Sequence, residues 1–305
     1  MSPPIIVVIF SGGWGNNFPE HEETEMRHSC LTICLIGAFS LMTLDMEAKD
    51  IITKFIRYSH ADRAAYGIQD GDTIHELSGN FLAGGRPTGK TLALSAVRLL
   101  APVEPSKIIA VGLNYKSHLG ERPAPPCPGL FAKLPTSILG PEESIVFPPE
   151  AGDVHFEGEL VIVIGKKAKN VPESEVPAYV FGVTAGNDVS ERRWQKEDLQ
   201  WLRAKGSDTF GPIGPAVVQG LNYNDLQLTT RLNGVVLQSQ RTSDLLFGVS
   251  KIVSYVSQFA TLVPGDLIFT GTPGATKPMK PGDVIEVEIE GIGILRNKIA
   301  GPVTH

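Results

Sequence analysis

Three carboxylates carry the clearest chemical signal in this chain. Glu157 and Glu159 flank a glycine in His155-Phe156-Glu157-Gly158-Glu159-Leu160, and Asp188 follows in Gly186-Asn187-Asp188. Residues 154–165 are rich in β-branched and apolar types and end at Gly165, which reads as a strand. Side chains two apart on a strand share a face. His155, Glu157 and Glu159 would therefore point one way, and Phe156, Leu160, Ile162 and Ile164 the other way, into a core. Adjacent carboxylates beside an apolar half-strand repel each other unless a positive charge lies between them. A hard divalent cation such as Mg2+ or Ca2+ takes oxygen ligands of this kind. Asp188 would complete a three-carboxylate site with positions left open for a substrate. The competing reading is an edge strand whose polar face meets solvent, with Asp188 an ordinary turn residue.

Other residues offer supporting chemistry. His118 and Glu121 lie three apart; on one helical turn the carboxylate would orient the imidazole and raise its basicity. Residues 120–129, with four prolines, should form an exposed loop able to act as a lid. The alternative is a surface turn of unrelated polar residues. Lys205 could hold a carboxylate or polarise a carbonyl, or simply be solvated. Residues 84–91, Gly-Gly-Arg-Pro-Thr-Gly-Lys-Thr, satisfy the Walker A spacing. Their context is poor. No clear buried strand precedes them, Pro102 cuts short any following helix, and no apolar strand suits Walker B. Nucleotide binding is the remote alternative. Residues 11–16 lack the third glycine of a dinucleotide fingerprint.

The elements that must position these groups are β-heavy. The chain has 305 residues, 42% hydrophobic and 20% charged, with net charge −6. That acidic balance argues against nucleic acid or an anionic membrane as the main partner. Three cysteines form neither a disulfide framework nor a zinc pattern, which suits a reducing compartment. Residues 55–58 and 73–77 read as strands around a turn at 69–72, giving a small N-terminal β unit within 51–104. A Gly/Pro-rich linker at 84–91 and a closing segment at 101–105 complete it. The larger domain, 105–305, opens with a buried strand at 108–112. A turn or short helix at 173–177 precedes a strand at 179–184. Residues 244–261 carry an apolar stripe at helical spacing, capped by Ser243 or Asp244. Pro-Gly-Asp turns at 264–266 and 281–283 introduce strands at 267–270 and 284–289. The fold class is α+β, β-rich.

Residues 1–50 read as a variable extension. Their apolar stretches, 5–10 and 30–44, are shorter than the roughly 18–20 residues of a spanning helix. No basic region precedes residue 5 and no clean cleavage site follows Leu44. The apolar parts would pack on the body or on a partner; alternatively, translation begins at Met46.

Taken in order, the motifs over residues 53–302 resemble the fumarylacetoacetate hydrolase family, particularly its short domain-containing members. They are Ile109-Ala-Val-Gly-Leu-Asn-Tyr115, His118 with Glu121, Lys133, Ser137-Ile-Leu-Gly-Pro141, Phe156-Glu-Gly-Glu-Leu160, Asn187-Asp-Val-Ser190, Lys205 with Asp208-Thr-Phe210, Gly214-Pro215, Leu232-Asn-Gly234 and Phe269-Thr-Gly-Thr-Pro273. The resemblance implies a mixed β-sandwich roll as the catalytic domain, paired as a homodimer. It assigns Glu157, Glu159 and Asp188 to Mg2+, with Mn2+ or Ca2+ as alternatives. His118 and Glu121 become a lid dyad that activates water. Lys205 and Gln195 would contact substrate oxygens, Thr272 would lie at the pocket floor, and Lys133 and Ser137 would join the substrate-binding set. The implied reaction is metal-assisted hydrolysis of a C–C bond in a β-diketo or 2-oxo acid, acylpyruvate- or fumarylacetoacetate-like, as in aromatic ring-fission catabolism. Oxaloacetate decarboxylation, 2-oxo acid tautomerisation and dienoate isomerisation use the same apparatus. The implied setting is cytoplasmic or mitochondrial, without nucleic acid or a membrane span. A catalytically dead binding protein is a third class, against which the retained site residues argue.

The sequence also departs from the family pattern. His155 stands where an acidic residue is usual. Glu191 and Arg193 replace the usual Ala and Asp, and Lys205-Gly-Ser replaces Lys-Ser-Phe.

Overall fold

The computed structural model describes residues 51–302. Among these, strands dominate and helices are short. The main sheet is built in the order Pro87–Ala93, Thr73–Leu77, Arg63–Asp70, Thr53–His60, Gly211–Gln219, Val180–Asn187, Gly158–Ile164, Leu267–Phe269, Ile108–Gly112 and Gly129–Lys133. The N-terminal strands thus extend the same sheet that carries the acidic residues. A second sheet of five strands runs Val235–Arg241, Gln227–Leu232, Val284–Ile289, Gly293–Ala300 and Ser144–Val146. No helix among the described residues is long and apolar enough to cross a membrane.

The apolar run after Glu159 follows from its place in this architecture. Leu160, Ile162 and Ile164 pack with Leu228, Val287 and Leu295 of the second sheet and with Ile252 and Val253 of the helix Val249–Phe259. Val161 and Val163 pack on the other face, against Phe81, Ile213 and Phe269. A strand buried on both faces loses the polar alternation of an edge strand, so the edge-strand reading is overturned.

Several expectations need correction. Residues 154–164 are not one strand. Val154–His155 pairs with Ser190–Glu191 in a separate ribbon, and Gly158–Ile164 enters the main sheet opposite Val180–Asn187. The chain breaks register at Phe156 and Glu157, so Phe156 packs with Val154, Val189 and Phe210 rather than with Leu160. Residues 84–91 are not simply a linker, because Pro87–Ala93 pairs antiparallel with Thr73–Leu77. Only a 3-10 turn, Leu94–Ala96, follows. An extended, exposed strand with no helix behind it cannot curl its N–H groups around a phosphate, which removes the nucleotide-binding reading.

The expected helix at 244–261 begins late, at Val249, with Gly248 as its cap and no side-chain capping bond. Leu245 forms a β-bridge instead, and the chain bends at residues 246–247. Leu245 bridges Tyr115, Leu246 N–H donates to the Asn114 carbonyl, and Phe247 N–H donates to Asn114 Oδ1. The apolar stretches at 5–10 and 30–44 and the start at Met46 lie outside the described residues.

Candidate active site

Strand pairing assembles the acidic cluster. Gly158 lies opposite Asn187, which brings Glu157 and Glu159 beside Asp188 at one end of the sheet. The break before Gly158 is sealed locally. Glu157 N–H donates to Asn187 Oδ1 at 2.9 Å, and Asp188 N–H donates to the Glu157 carbonyl at 2.8 Å. Glu157, Glu159 and Asp188 then offer carboxylate oxygens within 4.8 Å of one another. All three are buried.

Their surroundings are sharply uneven. Lys205 Nζ bridges Glu157 Oε2 and Asp188 Oδ2, each at 2.6 Å. Lys133 Nζ holds Asp188 Oδ1 at 2.6 Å from behind, and Arg192 donates to Glu157 Oε1. Glu159 receives, among the described residues, a single hydrogen bond, from Gly271 N–H at 2.7 Å. Burial pushes Glu157 up, but Lys205 and Arg192 outweigh it and hold its carboxyl well below the usual range. Burial, then the charges of Asp188 and Glu157, push Glu159 well above that range. Burial would lower Lys205, yet Asp188 and Glu157 raise it above an ordinary lysine. For Lys133 burial wins and lowers it.

Gly271 shows why the strand Leu267–Phe269 must leave the sheet where it does. Its φ of +106° is glycine territory, and an added Cβ would lie 2.7 Å from Asn114 Cβ. That close approach delivers its N–H to Glu159. Thr272, next in chain, donates its hydroxyl to the Gly158 carbonyl at 2.9 Å and accepts from Gln238 Nε2 at 2.8 Å.

A cavity of 460 Å³ opens over the cluster. Glu157, Glu159, Asp188, Lys205, Gln195 and Thr272 all line it, as does His118. His118 Nδ1 lies 2.5 Å from the Gly274 carbonyl, which makes Nδ1–H the donor, and Nε2 lies 3.8 Å from Glu157 Oε1. Glu121 is exposed and lies outside the cavity lining. Lys133 and Ser137 are buried behind the site; Ser137 Oγ donates to the Leu134 carbonyl at 2.7 Å. His155 turns away from the two glutamates toward Asp153 and Thr276, and burial pushes its imidazole below the ordinary value.

Sequence reasoning passed over Arg192, Arg122, Lys196 and Trp201, which also line the cavity. Arg192 had a usable signal, four residues after Asp188 and three before Gln195. Gln238, reaching in from the second sheet, had none.

The donor set fits a hard divalent cation: three anionic oxygens, of which Glu159 has neither a cation of its own nor a second hydrogen bond among the described residues. The alternative for Glu159 is to stay protonated.

The chain is similar to several known proteins. The family described as fumarylacetoacetate (FAA) hydrolase C-terminal matches residues 107–300, and the one described as Rv2993c-like, N-terminal matches residues 53–102. Oxaloacetate tautomerase Fahd2a, mitochondrial, of Rattus norvegicus is 41% identical over 76% of this chain and 78% of its own length. The crystal structure of 2-hydroxyhepta-2,4-diene-1,7-dioate isomerase from Mycobacterium marinum has a TM-score of 0.78 at 40% identity, covering 83% of this chain and 100% of that one. Maleylpyruvate hydrolase from Sphingobium sp. SYK-6, in complex with manganese(II) ion and pyruvate, has a TM-score of 0.70 at 27% identity, covering 82% and 100%. With its β-rich fold and buried carboxylate cluster, the chain belongs to the fumarylacetoacetate hydrolase family.

Proposed function

We infer that this chain is a divalent-metal-dependent enzyme that moves a proton at the carbon beside the oxo group of a 2-oxo dicarboxylic acid, interconverting its enol and keto forms. The observation that carries this reading is the pose of His118. One ring nitrogen is tied to the Gly274 carbonyl and the other faces the carboxylate cluster, 3.8 Å from Glu157 Oε1. An imidazole oriented through one nitrogen can act as a general base through the other.

Glu157, Glu159 and Asp188 would hold the ion. Bound there, it would act as a Lewis acid toward the oxo and carboxylate oxygens of the substrate. The residues do the rest. His118 Nε2 takes the proton from the carbon beside the oxo group. The C–H electron pair becomes a C=C bond and the C=O π pair moves onto the oxo oxygen, near the Lys205 ammonium, which offsets the growing negative charge; the proton carried by His118 then passes to that oxygen and completes the enol. The proton returns by the same nitrogen in the reverse direction.

Charge favours a dicarboxylate. Glu157, Glu159 and Asp188 are matched in number by Lys133, Lys205 and Arg192. A divalent ion leaves the site positive, and Arg122 and Lys196 add cations to the lining. The names of the tautomerase and the dioate isomerase describe acids of this class.

Hydrolysis of a C–C bond is the second reading, favoured by the likeness to maleylpyruvate hydrolase. It needs a water placed beside the base, which Glu121, lying outside the cavity lining, does not provide in this arrangement. NMR of the purified protein with Mg2+ and either oxaloacetate or an acylpyruvate separates the readings. Chelator-sensitive enol–keto exchange without cleavage supports the first. Release of pyruvate and a carboxylic acid at comparable rate overturns it in favour of the second.

A further inference from the structure

One hydrogen-bonded chain leads from the surface into the cavity and is used by none of the steps above. Arg192 sits at its centre, on the short helix Arg192–Glu197. Its NH2 group donates to Thr276 Oγ1 at 2.9 Å as well as to Glu157, and its NH1 group donates to Gln195 Oε1 at 2.8 Å. Thr276 Oγ1 lies 2.9 Å from His155 Nδ1, and His155 Nε2 lies 2.9 Å from Asp153 Oδ1.

The directions of the Arg192 bonds and of the bond to Asp153 are forced. A guanidinium only donates, so the Thr276 oxygen accepts from Arg192. An ionised carboxylate only accepts, so the imidazole donates from Nε2 to Asp153. The other ring nitrogen, Nδ1, anchors the Thr276 hydroxyl. At the other end, the same rule fixes Gln195. Its carbonyl oxygen is the atom that meets Arg192, so its NH2 group is the end left over. Gln195 lines the cavity, and its Nε2 has no acceptor among the described residues.

We propose that Thr276 and His155 are positioning residues, which fix Arg192 and through it present the Gln195 amide to the cavity as a hydrogen-bond donor for a substrate oxygen. The inference rests on the proposed 2-oxo acid reading for the identity of the substrate oxygen, but the orientation of Gln195 does not.

The test is a cycle of variants. Thr276→Val removes the oxygen that Arg192 uses while keeping the shape. It should raise KM about fivefold, the scale of one hydrogen bond, with kcat within about twofold, and Thr276→Ser should restore KM. In a Gln195→Ala background, Thr276→Val should add nothing further, because the two act as a unit. Additive effects, or a fall in kcat at unchanged KM, would overturn the proposal. So would a change in Mg2+ affinity by calorimetry, since that would place the effect on Glu157 instead.

Where His155→Phe folds poorly, His155→Asn, which keeps a polar atom near the Nδ1 position, should stay near wild-type KM. A fivefold rise in that variant counts against the chain. The side-chain amide resonance of Gln195 gives a readout free of any substrate. It should shift in Thr276→Val and return in Thr276→Ser. If the wild type turned over no 2-oxo acid, the proposed function would fail while this resonance still decided the positioning role.

Discussion

Glu157 and Glu159 lie two residues apart, yet their carboxyls are driven in opposite directions. Two cations touch Glu157 and keep it ionised, whereas Glu159, buried beside two like charges with one N–H donor, is pushed toward its protonated form.

The consequence is a pH-dependent metal effect. Without metal, Glu159 contributes stability that is complete below its ordinary pKa of 4.5 and is lost as pH rises toward its raised folded value. Glu157 has the opposite sign: its stabilisation is present above 4.5 and is lost only as pH falls. The slope these two produce above 4.5 therefore belongs to Glu159. A divalent ion needs Glu159 ionised and must displace its proton. Melting curves with Mg2+ and with chelator should diverge as pH rises, with the larger Mg2+-induced gain in Tm at the higher pH. A gain that stayed flat from pH 5 to 8 would show that Glu159 carries no such proton.

Lys133 belongs to the foundation of the site. Its side chain is fully buried, held by Asp188 Oδ1 and by the Lys205 carbonyl. Lys133→Met leaves part of Asp188 buried without its counter-charge, which costs about 3–5 kcal/mol. Urea unfolding should show that loss. A drop below about 1 kcal/mol would mean that Asp188 is satisfied without Lys133.

Gly271 should tolerate no side chain. Gly271→Ala meets Asn114 Cβ at 2.7 Å and adopts a φ of +106° that L-residues rarely take. The strain is about 1–3 kcal/mol, and relief by backbone movement withdraws the N–H from Glu159. Weaker Mg2+ binding in calorimetry is the expected result, alongside a lower Tm. Unchanged metal affinity would show that the Gly271 N–H does not hold Glu159 in place.

The acidic cluster was legible because its residue types announce their chemistry, and the order of motifs carried the fold. What stayed hidden depends on partners far away in sequence. The break at Phe156 and Glu157 arises because Val154–His155 pairs with Ser190–Glu191 while Gly158–Ile164 pairs elsewhere. Nothing within residues 154–165 encodes that choice. The late start of the helix at Val249 is set by Asn114, more than 130 residues earlier, which captures the N–H groups of Leu246 and Phe247 at a bend. Lys133 reads as a substrate ligand in a linear motif, and only its burial against Asp188 shows which side of the carboxylate it occupies.

His118 and Glu121 supply the last prediction, because their separation divides the two chemistries. A tautomerase needs His118 alone, already oriented by the Gly274 carbonyl. His118→Asn should reduce enol–keto exchange by about 10²–10⁴-fold, the usual weight of a general base, and leave Mg2+ binding intact, since the three carboxylates are untouched. Glu121→Ala should leave that exchange within about twofold, because Glu121 is exposed and outside the cavity lining. A hydrolase working through the dyad predicts the reverse for Glu121. Its loss would cripple cleavage as badly as the loss of His118, since the water would have no second group to place it. Equal collapse of both variants would overturn the tautomerase reading and require a rearrangement of residues 120–129 that brings Glu121 to the imidazole.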